Sequence, residues 1–186
     1  MKLKTGLALF FMGVVAQAAD VTVSLKDGRQ LFEGMSIAFG FDGTQNNTIR
    51  TFFEEARSRL PRDGSVTELT SSVVTTTATL SGLFCKALID SDAAKTGGNV
   101  KNRWVHPDVD FTKEPAVALP DTVRAKIIES YAGLLWQRSP SQSEFETVNA
   151  AMTKSIADEP KTAAGTVAVL LVPCVAMASS LDFLVY

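Results

Sequence analysis

The chain has 186 residues, 46% of them hydrophobic and 20% charged, with 12 Gly and 7 Pro. That composition supports one packed core and excludes a collagen-like, mucin-like or largely disordered polypeptide. A formal net charge of −2 provides no overall attraction to nucleic acid, and one His with two Cys leaves little material for a metal cage.

The N-terminus reads as a targeting segment. Lys2 and Lys4 form a basic start, residues 5–15 are apolar and uncharged, and Ala16-Gln17-Ala18 is a small-x-small cleavage site. The stretch is shorter than the roughly 20 residues of a membrane span. A signal peptide over residues 1–18 is therefore preferred to an uncleaved anchor. The expectation is export to the periplasm, cell surface or medium, with residues 19–186 forming a single helical domain. In an oxidising compartment Cys85 and Cys174 are a candidate disulfide, the only intramolecular pairing two cysteines allow. Two buried thiols are the alternative.

The first mature residues read as strands. Val21–Leu25 alternates, Lys26-Asp27-Gly28 is turn material, and Leu31–Phe41 supplies a return strand, giving a short β-hairpin. Phe41-Asp42-Gly43-Thr44-Gln45-Asn46-Asn47 resembles a short motif of secreted phospholipase effectors of the α/β-hydrolase type. Those enzymes also need a Gly-x-Ser-x-Gly elbow, which this chain lacks. The segment is read as a polar turn, with Thr44 or an Asn capping the helix that follows.

Helical patterns then dominate. Ile49, Phe52, Phe53, Ala56 and Leu60 share one helix face, stopped by Pro61 and Gly64. Ser65 and Glu68 form a capping box, opening a helix striped by Leu69, Val73, Leu80, Phe84 and Leu88. Thr75-Thr76-Thr77 is its poorest stretch for helix. Residues 90–119 read as a long irregular segment. Helices follow over 120–135 and, after the Ser141–Glu144 capping box, over 141–156. Residues 162–181 carry no charge and read as a buried central helix, with a membrane-inserted segment as the alternative. The fold expected is mainly α, a bundle of about five helices with an N-terminal β-hairpin.

Chemistry-bearing residues are sparse. His106 lies in His-Pro-Asp-x-Asp with Asp108 and Asp110, a loose loop-site candidate whose plainer reading is a solvated loop. The carboxylate pairs Glu54-Glu55, Asp90/Asp92 and Glu144/Glu146 have nothing to bring them together across a cleft. Arg50, Arg57, Arg59 and Arg62 form a basic side interleaved with Glu54 and Glu55. No catalytic set, metal site or cofactor is expected.

Trp136-Gln137-Arg138-Ser139-Pro140-Ser141-x-x-Glu144, then Leu170-Leu171-x-Pro173 and Leu181–Tyr186, resembles a helical domain of large exported bacterial proteins. Those proteins, common in planctomycetes and myxobacteria, often carry cytochrome c modules. The likeness covers residues 130–186. Gln137 before a single arginine and a longer gap from Pro173 to Phe183 depart from the pattern. It implies a packed helical C-terminus and export, and no activity. The function expected is a non-enzymatic exported module that binds another envelope or secreted protein, and no nucleic acid. A membrane-anchored envelope component through residues 162–181 and a hydrolase built around His106 are the alternatives. Oligomeric state is left open.

Overall fold

The computed structural model describes residues 25–61 and 70–185. The expected leader, the strand over Val21–Ser24 and the Ser65–Glu68 capping box lie outside the described residues. The helices are α1 (Gly28–Phe39), α2 (Asn47–Ala56), α3 (Ser71–Ala94), α4 (Pro115–Ala118), α5 (Asp121–Leu135), α6 (Gln142–Asp158), α7 (Ala163–Ala178) and α8 (Leu181–Leu184). Short 3-10 segments occupy Gly43–Gln45, Arg57–Arg59 and Gly97–Asn102.

Among the described residues the expected hairpin is not seen, and the stretch expected as its return strand belongs to α1. Asp27, taken as turn material, is the helix N-cap. Its carboxylate accepts from the Gln30 backbone N–H at 2.8 Å, while the Gln30 side chain accepts from the Asp27 N–H at 3.0 Å. That reciprocal box starts a helix whose buried face is Leu31, Phe32, Met35 and Phe39, a spacing of one helical turn rather than alternation. Extended pairing among the described residues is one antiparallel bridge between Leu25 and Val185.

The α2, α5, α6 and α7 expectations match the observed helices within their end turns. For α3 the cap is Thr70, whose hydroxyl accepts from the Val73 N–H. Its threonine run persists as helix because Thr76 and Thr77 face the interior, where packing outweighs intrinsic preference.

The uncharged segment becomes α7, and it occupies the middle of the bundle. Thr166, Val169, Leu170, Cys174 and Met177 have no exposed surface. α3 and α6 pack most extensively on it, with α4 and α5 closing the remaining sides. The 16 residues of α7 fall short of a membrane span. Among the described residues one helix, α3, is long and apolar enough to cross a membrane by length and composition.

Cys85 of α3 and Cys174 of α7 form a disulfide, with their Cα atoms 5.9 Å apart and both side chains enclosed. The bond therefore crosses the most extensive helix contact in the molecule.

The residues that carry the C-terminal resemblance also meet. Arg138 holds Glu144 through both carboxylate oxygens, at 2.7 and 2.9 Å, and reaches Asp182 at 2.9 Å. Trp136 donates its indole N–H to the Ser180 hydroxyl at 2.8 Å. The turn between α5 and α6 is thereby tied to the start of α8.

Candidate functional site

Two places carry enough polar chemistry to be candidates: an enclosed cluster around His106, and an open groove between α1 and α2.

The cluster begins with Asp92, on the buried face of α3 in phase with Cys85, Leu88 and Ile89. Its carboxylate receives three successive backbone N–H groups: Trp104 at 2.7 Å, Val105 at 3.0 Å and His106 at 3.1 Å. The His106 ring adds a fourth bond from Nδ1 at 3.0 Å, and Lys95 approaches at 3.2 Å. An ionised carboxylate can only accept, so Nδ1 donates to it, while Nε2 lies 2.8 Å from the Tyr131 hydroxyl. Asp92, His106 and Tyr131 have no exposed surface.

Electrostatics follow from that geometry. Burial alone would push the Asp92 carboxyl up, yet the bonds from the His106 ring and from the Val105 and Trp104 N–H groups outweigh it. The group is held well below the ordinary carboxylate range. Burial, with the Asp92 charge behind it, raises the Tyr131 phenol well above its ordinary value.

Arg103 completes the tie. Its guanidinium donates to the carbonyls of Lys95 and Val109, at 3.1 and 2.6 Å, and lies over the Phe111 ring. The segment expected to be irregular is thus pinned from both sides. An Asp–His–Tyr chain has the components of a proton relay, and all three side chains are enclosed. The arrangement secures the 103–111 loop to α3 and α5.

The three loop candidates do not converge. His106 points inward, contrary to a solvated loop. Asp108 pairs with Lys126 of α5 at 2.6 Å, and Asp110 accepts from the Thr112 N–H and hydroxyl at 3.0 and 2.7 Å. Among the described residues no group of three His, Cys, Asp or Glu side chains is placed to hold a metal. The partners His106 does take were visible only as periodic positions. An aspartate in phase with Leu88 and Ile89, and a tyrosine in phase with Ile127 and Ile128, mark buried polar atoms that need a mate.

The groove is built by the turn after α1. Gly40 ends the helix at φ 70°, a left-handed conformation suited to glycine, and the Trp104 ring lies against it. Gly43 then passes close to Phe84 and Phe32. A Cβ there would stand 2.6 and 2.8 Å from their rings, so only glycine brings the turn this near. Asp42 caps the 3-10 turn, with its carboxyl held below the usual range by the Thr44 hydroxyl and N–H. Asn46 caps α2 by accepting from the Thr48 and Ile49 N–H groups.

α2 consequently lies beside α1, with the Phe32 and Phe53 rings 4.4 Å apart. Between the helices opens a groove of about 680 Å³. Phe32, Phe53 and Ile37 supply its apolar lining, and Arg29, Arg50, Arg57, Glu33, Glu54 and Asp42 its charges. Ile37 is 81% exposed, the most exposed large hydrophobic side chain described, and Trp104 is 57% exposed. Of the arginines expected to form a basic side, Arg50 and Arg57 are exposed and flank this apolar trough, Arg59 is exposed outside its lining, and Arg62 lies outside the described residues.

No protein-family model, curated protein or solved structure matches the chain.

Proposed function

We propose that this chain is an exported, non-enzymatic helical module that binds a protein partner, using the α1–α2 groove as its contact face. The observation that carries the reading is the pairing of an exposed Ile37 with an aromatic, charge-rimmed trough. Apolar side chains lining a groove within a polar rim are the anatomy of a protein contact. The enclosure of His106 supports the non-enzymatic part, since its polar groups are spent on holding a loop. The basic, apolar and small-residue order of residues 1–18 supports export, as does the enclosed disulfide, which persists in oxidising compartments. The likeness to exported planctomycete and myxobacterial proteins is a further support.

The test is a photo-crosslinking side chain at position 37 in the native host, followed by fractionation and intact-mass measurement. The expected result is an exported chain beginning at Ala19 and a crosslinked protein adduct. The same probe at Thr147, on the exposed face of α6, should give none. Recovery of a chain that still begins at Met1 inside the cell, or equal crosslinking at both positions, overturns the reading.

A further inference from the structure

Resting on the reading of the groove as a contact face, we propose that its partner is a second copy of this chain, related by a two-fold axis. The charge pattern is what selects this occupant. A groove for an acidic or a basic ligand presents an excess of the opposite sign, whereas this one is lined by three arginines and three carboxylates. Their order matters too. On α1, Arg29 precedes Glu33 by four residues, and on α2, Arg50 precedes Glu54 by four. A two-fold axis that runs such a helix antiparallel to its own copy sets each arginine against the other chain's glutamate, twice per helix pair.

Internal pairing leaves that capacity open on α2. Arg29 and Glu33 close their own ion pair at 2.7 Å. Arg50 instead turns to the neutral Asn47 side chain at 2.7 Å. Glu54 takes no ion pair among the described residues, although it stands one turn from Arg50 on the same face. Ile37 then serves as the knob, seating over the Phe32–Phe53 pair of the facing copy while its own aromatic pair receives the other Ile37. A two-fold interface requires this self-complementarity, with one surface supplying both knob and hole.

The patch sets the strength. The groove and its extension toward Pro61 involve fewer residues than the roughly 20–30 per side of a standard stable interface. A patch of that size belongs with weak, transient contacts, so the dimer is expected to have a dissociation constant in the micromolar range, on the order of 1–100 µM.

Sedimentation equilibrium of the purified exported chain, from about 1 to 300 µM, brackets that constant. The expected result is a monomer–dimer equilibrium. Ile37→Glu should weaken it roughly tenfold or more, the change for burying a charge in an apolar contact. Arg50→Glu and Glu54→Arg should each weaken it several-fold, at about 0.5–1 kcal/mol per cross-axis pair. The double swap R50E/E54R should restore it, because a reversed order is still complementary to itself. Circular dichroism of each variant verifies folding, and all three positions are on the surface groove. A monomer throughout the range, a dimer insensitive to I37E, or a double swap that fails to recover overturns the proposal. Crosslinking at position 37 keeps the two failures apart. A monomer that still gives an adduct to a different protein loses the second copy but retains the contact face. A monomer with no adduct loses both.

Discussion

Asp92 shows how one buried carboxylate can organise a loop. Three consecutive N–H groups and the His106 ring converge on it, so the 104–106 backbone has its donors satisfied without secondary structure. Asp92→Asn keeps the shape but replaces one acceptor oxygen with a donor facing N–H groups. The expected cost is about 2–4 kcal/mol, that of leaving buried groups unpaired. The pH dependence has a definite sign. Because the folded carboxyl is depressed, its contribution is fully present above the unfolded value, about 3.9, and is lost as pH falls from there through the folded value. Urea unfolding at pH 7 should separate wild type from D92N by that amount, and the gap should narrow steadily below about pH 4. A gap independent of pH would mean that Asp92 is not ionised in the fold.

At the scale of elements, the covalent tie lies between α3 and α7. A bridge closing a sequence separation of 89 residues limits the unfolded chain by about 4–5 kcal/mol on chain-entropy reasoning. Replacing both cysteines with alanine should lower unfolding free energy by that order, read by denaturant titration of the exported protein. Alkylation of the native protein should leave Cys85 and Cys174 unmodified until it is reduced under denaturing conditions, since neither has exposed surface. The elements differ in how legible they were. α2, α5 and α6 could be read because their apolar positions recur at helical spacing and Asn, Ser or Pro punctuates them, and α7 because residues 162–181 form an uncharged run. α1 was hidden by Gly34 and Gly40, and by an Asp-Gly pair that suits a turn as well as a cap. Its Asp27–Gln30 box and its Leu31, Phe32, Met35 and Phe39 spacing held the correct signal. The site was less legible still: Asp92 and Tyr131 stand 14 and 25 positions from His106, and no local pattern can express contacts that a loop makes with two helices so distant in sequence.

For the whole molecule, α7 is the element on which the others close. Leu170→Asp, at a position with no exposed surface, should unfold the protein, because an unpaired carboxylate in an apolar interior costs several kcal/mol, comparable with the stability of an entire domain. A cooperative thermal transition retained by this variant would refute the central role of α7. The ends of the described chain supply a different kind of consequence. Leu25 and Val185 are bridged, and the Lys26 N–H donates to the Leu184 carbonyl at 2.8 Å, so a load applied at those two points enters the molecule side by side. Peeling begins there, one hydrogen bond at a time, and not by shearing the helices together. The tension then follows the covalent shortcut from Cys85 to Cys174. The segment between them, including the Asp92 clamp, bears no load while the bridge is intact. Under force the oxidised protein should stretch roughly 300 Å less than its reduced form, given about 3.4 Å per extended residue across the loop. Pulled from those ends, it is a short tether whose middle cannot be drawn out.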